Sequence, residues 1–268
     1  MNLAEAKHAF ITGGASGIGL GIADAMVARG IAVTVVDVDQ AALDAVQAGR
    51  PSERFRTQQL DVRDRAGWAR AKAEAETAFG PVDILVNNAG IGPDGSDLAD
   101  VTLEAFDRII GINLVGVFNG VTSFAADLRA RGRGHIVNTS SVAGLFANAP
   151  GVNAYAAAKF GVTAMSETLR AELEPHGVGV SVLCPGYVDT NIIANTARIS
   201  GETNDYDGGG VPGTPMSTAE VAAIVLHAIE QDEPYTITHP EAWPAVEARM
   251  NAIKSAFEAA ERRNHESV

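Results

Sequence analysis

Ala9-Phe10-Ile11-Thr12-Gly13-Gly14-Ala15-Ser16-Gly17-Ile18-Gly19 is a short apolar run, then a glycine-rich turn, then the start of a segment carrying Ile22, Ala25 and Met26 at helical spacing. A buried strand that passes through glycines into a helix is a phosphate-binding unit. The glycines permit a tight turn and close backbone approach, while the helix N-terminus offers free amides and the positive end of its dipole to a pyrophosphate. Glycine-rich turns also arise for geometric reasons alone; the flanking strand and helix favour the binding reading here. A second strand, over 32–36, ends at Asp37, 18 residues beyond Gly19. A dinucleotide-binding unit places an acid there, on the hydroxyls of the adenosine ribose. That carboxylate repels a 2′-phosphate, and neither residues 13–19 nor positions 38–39 supply an Arg or Lys, so NAD is expected rather than NADP. A solvated acid at a strand end is the plainer alternative.

Outward from this unit, strands are expected over 55–60, 82–86, 134–139, 179–184 and 235–238, with helices over 68–79, 103–131, from Tyr155 onward and over 218–230. Alternating strands and helices imply a parallel sheet, whose ligands bind at the carboxyl ends of its strands. Asn87-Asn88-Ala89-Gly90 falls at one such end and Ser140-Ser141 at another. Both are also ordinary turn chemistry. Asn113 interrupts the apolar face of the 103–131 helix; a polar residue there either bonds the backbone locally or marks a site. Residues 185–215 read as one irregular stretch, with Gly208-Gly209-Gly210 as a hinge for a binding loop over 188–216. A final amphipathic helix, within a C-terminal extension over 240–262, sets Val246, Met250, Ile253 and Phe257 on one face. Residues 262–268 are expected to be unstructured.

Tyr155-Ala-Ala-Ala-Lys159 puts a phenol and an ammonium one helical turn apart. A phenol of unperturbed pKa ~10 is a poor base at neutral pH, and an adjacent fixed cation favours the phenolate. Lowering that pKa by two to three units takes about 3–4 kcal/mol, at ~1.36 kcal/mol per unit. Taken alone, such a pair is more often a solvated helix face.

Composition narrows the partners. With 268 residues, 46% of them hydrophobic, and no shift that marks a linker, the chain reads as one domain, 1–268. A net charge of −13 repels nucleic-acid phosphates and anionic membrane surfaces, so neither is expected as a partner. No apolar run is expected to approach the ~20 residues of a membrane span. Residues 9–11 are too few for a secretory signal, and the single cysteine, Cys184, sits in an apolar setting that suits an inert core thiol. The expected compartment is the cytoplasm. Histidines lack metal-ligand spacing and no serine sits in a Gly-x-Ser-x-Gly elbow, so neither metal nor serine hydrolysis finds support.

Thr12-Gly13-x-x-x-Gly17-x-Gly19, Asp61-Val62, Asn87-Asn88-Ala89-Gly90, Asn113, Ser141, Tyr155-x-x-x-Lys159 and Pro185-Gly186-x-Val188-x-Thr190 occur together and in this order. In that combination the chain resembles the short-chain dehydrogenase/reductase family from about residue 9 to 238. The resemblance implies an α/β fold: a single-domain, Rossmann-like, doubly wound parallel sheet of seven strands with helices on both faces. It implies that Gly13, Ser16, Gly17, Ile18 and Gly19 hold the NAD pyrophosphate, Asp37 the adenosine ribose, and Asp61 and Val62 the adenine. Asn87, with Ala89 and Gly90, belongs to the cofactor wall; Pro185, Gly186, Val188 and Thr190 belong to the nicotinamide side. By the same resemblance Tyr155 is the general acid/base, Ser141 holds the reacting oxygen, and Lys159 binds the nicotinamide ribose and lowers the Tyr155 pKa. Asn113 holds a water linking Lys159 to solvent.

Ser141 lies one residue farther from Tyr155 than is commonest in the family, and Ser140 is adjacent; Ser141 is the serine favoured. Where many relatives finish with an Asp-Gly-Gly-like ending, this chain has His239-Pro240 and a further helix. The region around residues 238–243 and the 134–139 strand are similar to those of bacterial dehydrogenases that oxidise the benzylic alcohol of lignin-derived aryl ethers. The implied activity is NAD-dependent interconversion of a secondary alcohol and a ketone. An acyl-chain 3-oxo ketoreductase is an alternative that Asp37 and the acidic balance disfavour. A non-catalytic dinucleotide-sensing regulator is another, disfavoured by the intact Asn113, Ser141, Tyr155 and Lys159 set.

Ser141, Leu145, Tyr155, Tyr187 and Ile192, with Ile91, Val142, Phe146 and Ile193, follow the motifs that deliver chemistry, so they are expected on the substrate side. Nearly all are apolar, which suits a hydrophobic, uncharged, cyclic or aromatic substrate, unless Arg198 turns inward to bind an anion. Apolar helices over 103–131 and 152–174 exceed what a sheet face needs, and in relatives they form a dimer interface; a homodimer or homotetramer is expected.

Overall fold

The computed structural model describes residues 1–50, 53–147, 150–201 and 214–266. Seven strands form one sheet: β1 (His8–Thr12), β2 (Ala32–Asp37), β3 (Phe55–Gln59), β4 (Ile84–Asn87), β5 (Gly134–Thr139), β6 (Val178–Cys184) and β7 (Tyr235–Ile237). All pair in parallel, in the order β3-β2-β1-β4-β5-β6-β7. The central strands are buried on both faces, which is why they read as continuous apolar runs without alternation.

Among the described residues there are nine α-helices, most of them covering the two faces: α1 (Gly17–Ala28), α2 (Gln40–Ala48), α3 (Arg65–Phe79), α4 (Leu103–Ile110), α5 (Gly116–Arg131), α6 (Asn153–Leu173), α7 (Ile192–Ser200), α8 (Thr218–Gln231) and α9 (Trp243–Glu266). On one face Ile22 and Met26 of α1, Leu43 of α2 and Val221 and Val225 of α8 share a core with Val33 and Val35. On the other, Trp68 of α3, Phe124 of α5 and Leu169 of α6 share one with Phe10 and Leu85. The starts of these helices are fixed locally. Asp39 caps α2, Asp64 caps α3 and Thr102 caps α4, while Ser217 and Glu220 form a reciprocal capping box on α8.

The chain leaves the β3 edge and returns to lay β4 on the opposite side of β1, so the loops after β1 and β4 diverge. A crevice opens at that switch point, at the strands' carboxyl ends.

Four local expectations are corrected. The 103–131 helix is interrupted by a π turn, Gly111–Val115, between α4 and α5. It also contains an uncharged 18-residue window long and apolar enough to cross a membrane, contrary to the expected absence of such a run; half of that window is buried in the protein. The stretch read as irregular contains α7, and Gly208-Gly209-Gly210 lie outside the described residues. Finally, α9 continues through Glu266 where an unstructured tail was expected. Its apolar face holds as drawn, yet Met250, Ile253 and Phe257 are exposed on it.

Candidate active site

The turn after β1 is glycine-rich for separate reasons. Gly13 and Gly17 have φ of +63° and +55°, the left-handed region that costs other residues energy. Gly19 is a packing requirement instead: a Cβ there would stand 2.4 Å from the Gly13 carbonyl oxygen and 2.6 Å from Asn88 Nδ2. The turn is tied to the end of β4. Thr12 Oγ1 accepts from the Asn88 and Ala89 amides at 2.9 Å each, and Asn88 Nδ2 donates to the Thr12 and Gly13 carbonyls at 3.1 and 3.3 Å. Ser16 precedes α1 with its side chain making no capping bond, so the first turn keeps amides directed at the crevice.

A cavity of about 420 Å³ runs along the carboxyl edge of the sheet. Gly13, Ser16, Gly17 and Ile18 line its middle, with Ala89 and Gly90 opposite; Asp37, Asp61 and Val62 line one end; Tyr155, Lys159, Pro185, Thr190 and Ile192 line the other. The Asp37 carboxylate accepts from the Ala15 amide at 3.3 Å and the Asp39 amide at 3.2 Å, which fixes its direction. Asp61 pairs with Arg63 at 2.7 Å, and that hydrogen bond holds its carboxyl below the usual range.

At the reacting end, Ala154, Ala158, Val162 and Leu169 bury one side of α6, which leaves Tyr155 and Lys159 to face the crevice. Lys159 Nζ lies 5.4 Å from the centre of the Tyr155 ring and donates to the Thr139 carbonyl at 3.0 Å. Lys159 is 4% exposed, and desolvation lowers its pKa from 10.5 to about 8. Cys184 is close by, but burial pushes its thiol up to about 12, so it stays neutral at pH 7.

Several expected site residues do not reach the cavity. Asn87, the last residue of β4, points away from it: Nδ2 donates to Asn138 Oδ1 at 2.8 Å, inside a buried network with Ser166. Alternation along the strand hands the groove to Asn88 instead. Gly19 lies beneath the turn. Gly186 and Val188 act through the backbone, since the Gly186 amide donates to Thr238 Oγ1 and His239 Nδ1 at 3.2 Å each, and Val188 bridges Met216. Of the residues expected on the substrate side, Ser141, Val142, Leu145, Phe146, Tyr187 and Ile193 lie outside the cavity wall, Tyr187 being 48% exposed. Ile91 and Ile192 do line the wall.

Asn113 is fully buried, and its side chain clamps the Ile91 backbone, Oδ1 accepting from the amide and Nδ2 donating to the carbonyl, both at 2.8 Å. One hydrogen bond to the carboxamide oxygen and one from its nitrogen are thereby spent on the Ile91 main chain. The two serines also separate. Ser140 lines the cavity, but its hydroxyl donates to the Lys159 carbonyl at 2.8 Å and faces Thr163 Oγ1 at 2.9 Å. Ser141 is not part of the cavity wall; its hydroxyl makes a long 3.4 Å bond to the Pro185 carbonyl and accepts from the Ala143 amide at 3.1 Å, so it is held less firmly than that of Ser140.

Asn195, which no sequence motif marks, donates to Ser16 Oγ at 3.3 Å, and His239, noted in sequence only as a departure from the family ending, is buried. Arg198, held there as an alternative anion ligand at the substrate end, instead pairs with Asp39 at 2.9 Å at the adenosine end. Among the described residues, no group of three His, Cys, Asp or Glu side chains is arranged to hold a metal.

The short chain dehydrogenase family model matches residues 7–199. The C alpha-dehydrogenase of Sphingobium sp. is 34% identical over 262 residues, spanning 91% of this chain and 84% of that protein. The probable oxidoreductase EphD of Mycobacterium tuberculosis is 37% identical over 246 residues and 87% of this chain, yet the chain spans only 41% of that protein's length. Among solved structures, a short chain dehydrogenase/reductase of Burkholderia phymatum in complex with NAD superposes with a TM-score of 0.82 at 29% identity, covering 96% of this chain and 97% of that one.

Proposed function

The chain belongs to the short-chain dehydrogenase family of oxidoreductases, and from that premise we propose that it is an NAD-dependent enzyme interconverting a secondary alcohol and a ketone on a hydrophobic, uncharged substrate. The carrying observation is one cavity that joins the glycine turn and Asp37 at one side to Tyr155 and Lys159 at the other. The turn fits a dinucleotide: the Cβ atoms that Gly13 and Gly17 lack would crowd Ala89 and Thr190, and the α1 N-terminus supplies amides for a pyrophosphate. When bound, the nicotinamide supplies hydride transfer.

The chain's own residues do the rest. Tyr155 moves the proton at the substrate oxygen, Ser141 donates a hydrogen bond to that oxygen, and Lys159 favours the phenolate of Tyr155 electrostatically. The Asn113 clamp positions Ile91 beside them. Ile91 and Ile192 make the reacting end apolar, which strengthens those hydrogen bonds by excluding water. NAD is favoured because Asp37 faces the adenosine end, while the cations there, Arg63 and Arg198, are each already paired with a carboxylate. A buried, neutral Cys184 thiol agrees with work in the cytoplasm.

The test is a substrate panel, with bulky aryl ketones and alcohols against charged keto acids of similar size, each with NAD(H) and NADP(H), followed at the absorbance of the reduced nicotinamide. Aryl substrates should lead, and NAD should exceed NADP by at least ~10²-fold in kcat/KM, about 2.7 kcal/mol. Preference for the keto acid would overturn the pocket reading, and equal coenzyme efficiency would overturn the role of Asp37.

A further inference from the structure

Helix α7 crosses the cavity and is tied to its opposite walls at three places. Near the reacting end, the Gly92 amide donates to Thr196 Oγ1 at 2.8 Å. At the glycine turn, Asn195 Nδ2 donates to Ser16 Oγ at 3.3 Å. At the adenosine end, Arg198 Nη1 meets Asp39 Oδ2 at 2.9 Å. Ile199, on the inner side of the helix, lines the cavity and packs against the core that holds Trp68 and Ile112.

The third tie differs from the first two. Asp39 follows β2 and is fixed before Arg198 arrives: Oδ1 caps α2 by accepting from the Ala42 amide at 3.1 Å, and its own amide donates to Asp37 Oδ1 at 3.2 Å. Oδ2 is left to the guanidinium. The other acids at this end have different partners, since Asp61 holds Arg63 and Asp37 accepts from two backbone amides. Arg198 sits in the last turn of α7, so its cation also suits the negative end of that helix. The pair thus joins an element of the substrate side to the element that carries the ribose-facing acid, across the mouth of the cavity both line.

We propose that Arg198 and Asp39 form a clasp over the adenosine end of the coenzyme groove, so that a bound dinucleotide leaves only when the pair parts. This rests on the dinucleotide reading given above. Clasped, α7 shields the groove from the glycine turn to the adenosine end; parted, it is released at the end where the adenosine must exit. The side chains are 48% and 24% exposed, so water and salt screen the pair and it tunes a rate rather than locking the site.

The test is displacement of NADH or NADPH, whichever binds, from the full chain by stopped-flow fluorescence, for wild type, Arg198→Gln, Asp39→Asn and the double variant. Asparagine retains the α2 cap, so Asp39→Asn removes the charge and spares the helix. Each single variant should speed release about two- to fivefold, the range for an ion pair of this exposure. The double variant should be no faster than the faster single, and high salt should speed wild type toward the variants. Effects that multiply in the double variant would overturn the clasp. So would a faster Arg198→Gln beside an unchanged Asp39→Asn, because Arg198 would then act on the coenzyme directly. A wild-type chain that binds neither dinucleotide would refute the coenzyme reading itself, an outcome distinct from binding with uncoupled variants.

Discussion

Replacing Asn113 with leucine keeps roughly the side chain's shape and removes both of its hydrogen bonds, so it isolates the clamp on Ile91. In the protein that clamp is complete. Oδ1 accepts from the Ile91 amide and Nδ2 donates to the Ile91 carbonyl, both at 2.8 Å, with Asn113 at 0% and Ile91 at 1% exposure. Leucine leaves one buried donor and one buried acceptor on the main chain without partners, at about 1–3 kcal/mol each, or about 2–6 kcal/mol together. At about 2–4 °C per kcal/mol for a domain of this size, the melting temperature should fall by about 4–24 °C. Activity should fall as well. A Cβ at Gly90 would lie 3.2 Å from Asn113 Oδ1 and 3.6 Å from Lys159 Nζ, so the segment the clamp fixes runs directly past the Lys159 ammonium. Thermal unfolding by circular dichroism and steady-state kinetics on the same preparations read both effects. A melting temperature lowered by less than about 2 °C, with turnover within threefold of wild type, would refute the claim that this asparagine holds the wall of the site.

Lys159→Met should abolish turnover yet stabilise the protein at pH 7. Burial lowers the Lys159 pKa from 10.5 to about 8, so the folded state binds this proton more weakly than the unfolded state, at a cost of about 3 kcal/mol below pH 8. Wild-type stability should therefore recover relative to the variant as pH rises from about 8 to 10.5, and paired thermal melts across that window check the sign; a variant no more stable at pH 7 argues against a buried ammonium. Assembly is the remaining expectation. Leu103, Phe106 and Phe118 are exposed on α4 and α5, so a homodimer or homotetramer should form, and Phe118→Asp should weaken it. Light scattering that finds wild type monomeric at micromolar concentration would contradict this.

The parts of the fold that the sequence declares are those whose residues serve one purpose. The core strands are buried on both faces, so their apolar runs stand out, and the glycines at 13 and 17 have backbone angles few other residues accept. Legibility fails where a residue serves two. Asp39 is both the α2 cap and the partner of Arg198, and the short helix it starts, Gln40–Ala48, buries only Leu43 and Val46, too few apolar positions to stand out in sequence. Helix α7 has mixed composition and no side-chain cap; Ile192, Asn195, Thr196 and Ile199 face groups supplied by other elements, so its amphipathicity appears only once the groove exists. The choice between Asn87 and Asn88 turned on where β4 ends, and a shift of one residue exchanges a groove ligand for a buried network. Ser140 and Ser141 are chemically identical in sequence. Only the third dimension commits the Ser140 hydroxyl to the Lys159 carbonyl.

The C-terminal departure from the family pattern has a physical account in the same terms. The loop over the substrate side is closed at its base by the main chain: the Met216 amide donates to the Tyr187 carbonyl at 3.0 Å, and the Asp189 amide donates to the Met216 carbonyl at 2.9 Å. His239, just beyond β7, stands under that base. The Gly186 amide donates to its Nδ1, so the ring proton belongs on Nε2, where it reaches the Thr214 carbonyl at 3.2 Å. The His239 ring therefore links the Pro185–Gly186 turn to Thr214. A Cβ at Gly186 would stand 2.6 Å from that ring, so glycine at 186 and histidine at 239 fit as a pair. Both Val188 and Met216 are thus held at one turn, and α7, which carries Asn195 and Arg198, follows from it. Glycine at 186, histidine at 239 and the Val188–Met216 bridge therefore form one fixed unit at the start of the segment that carries α7.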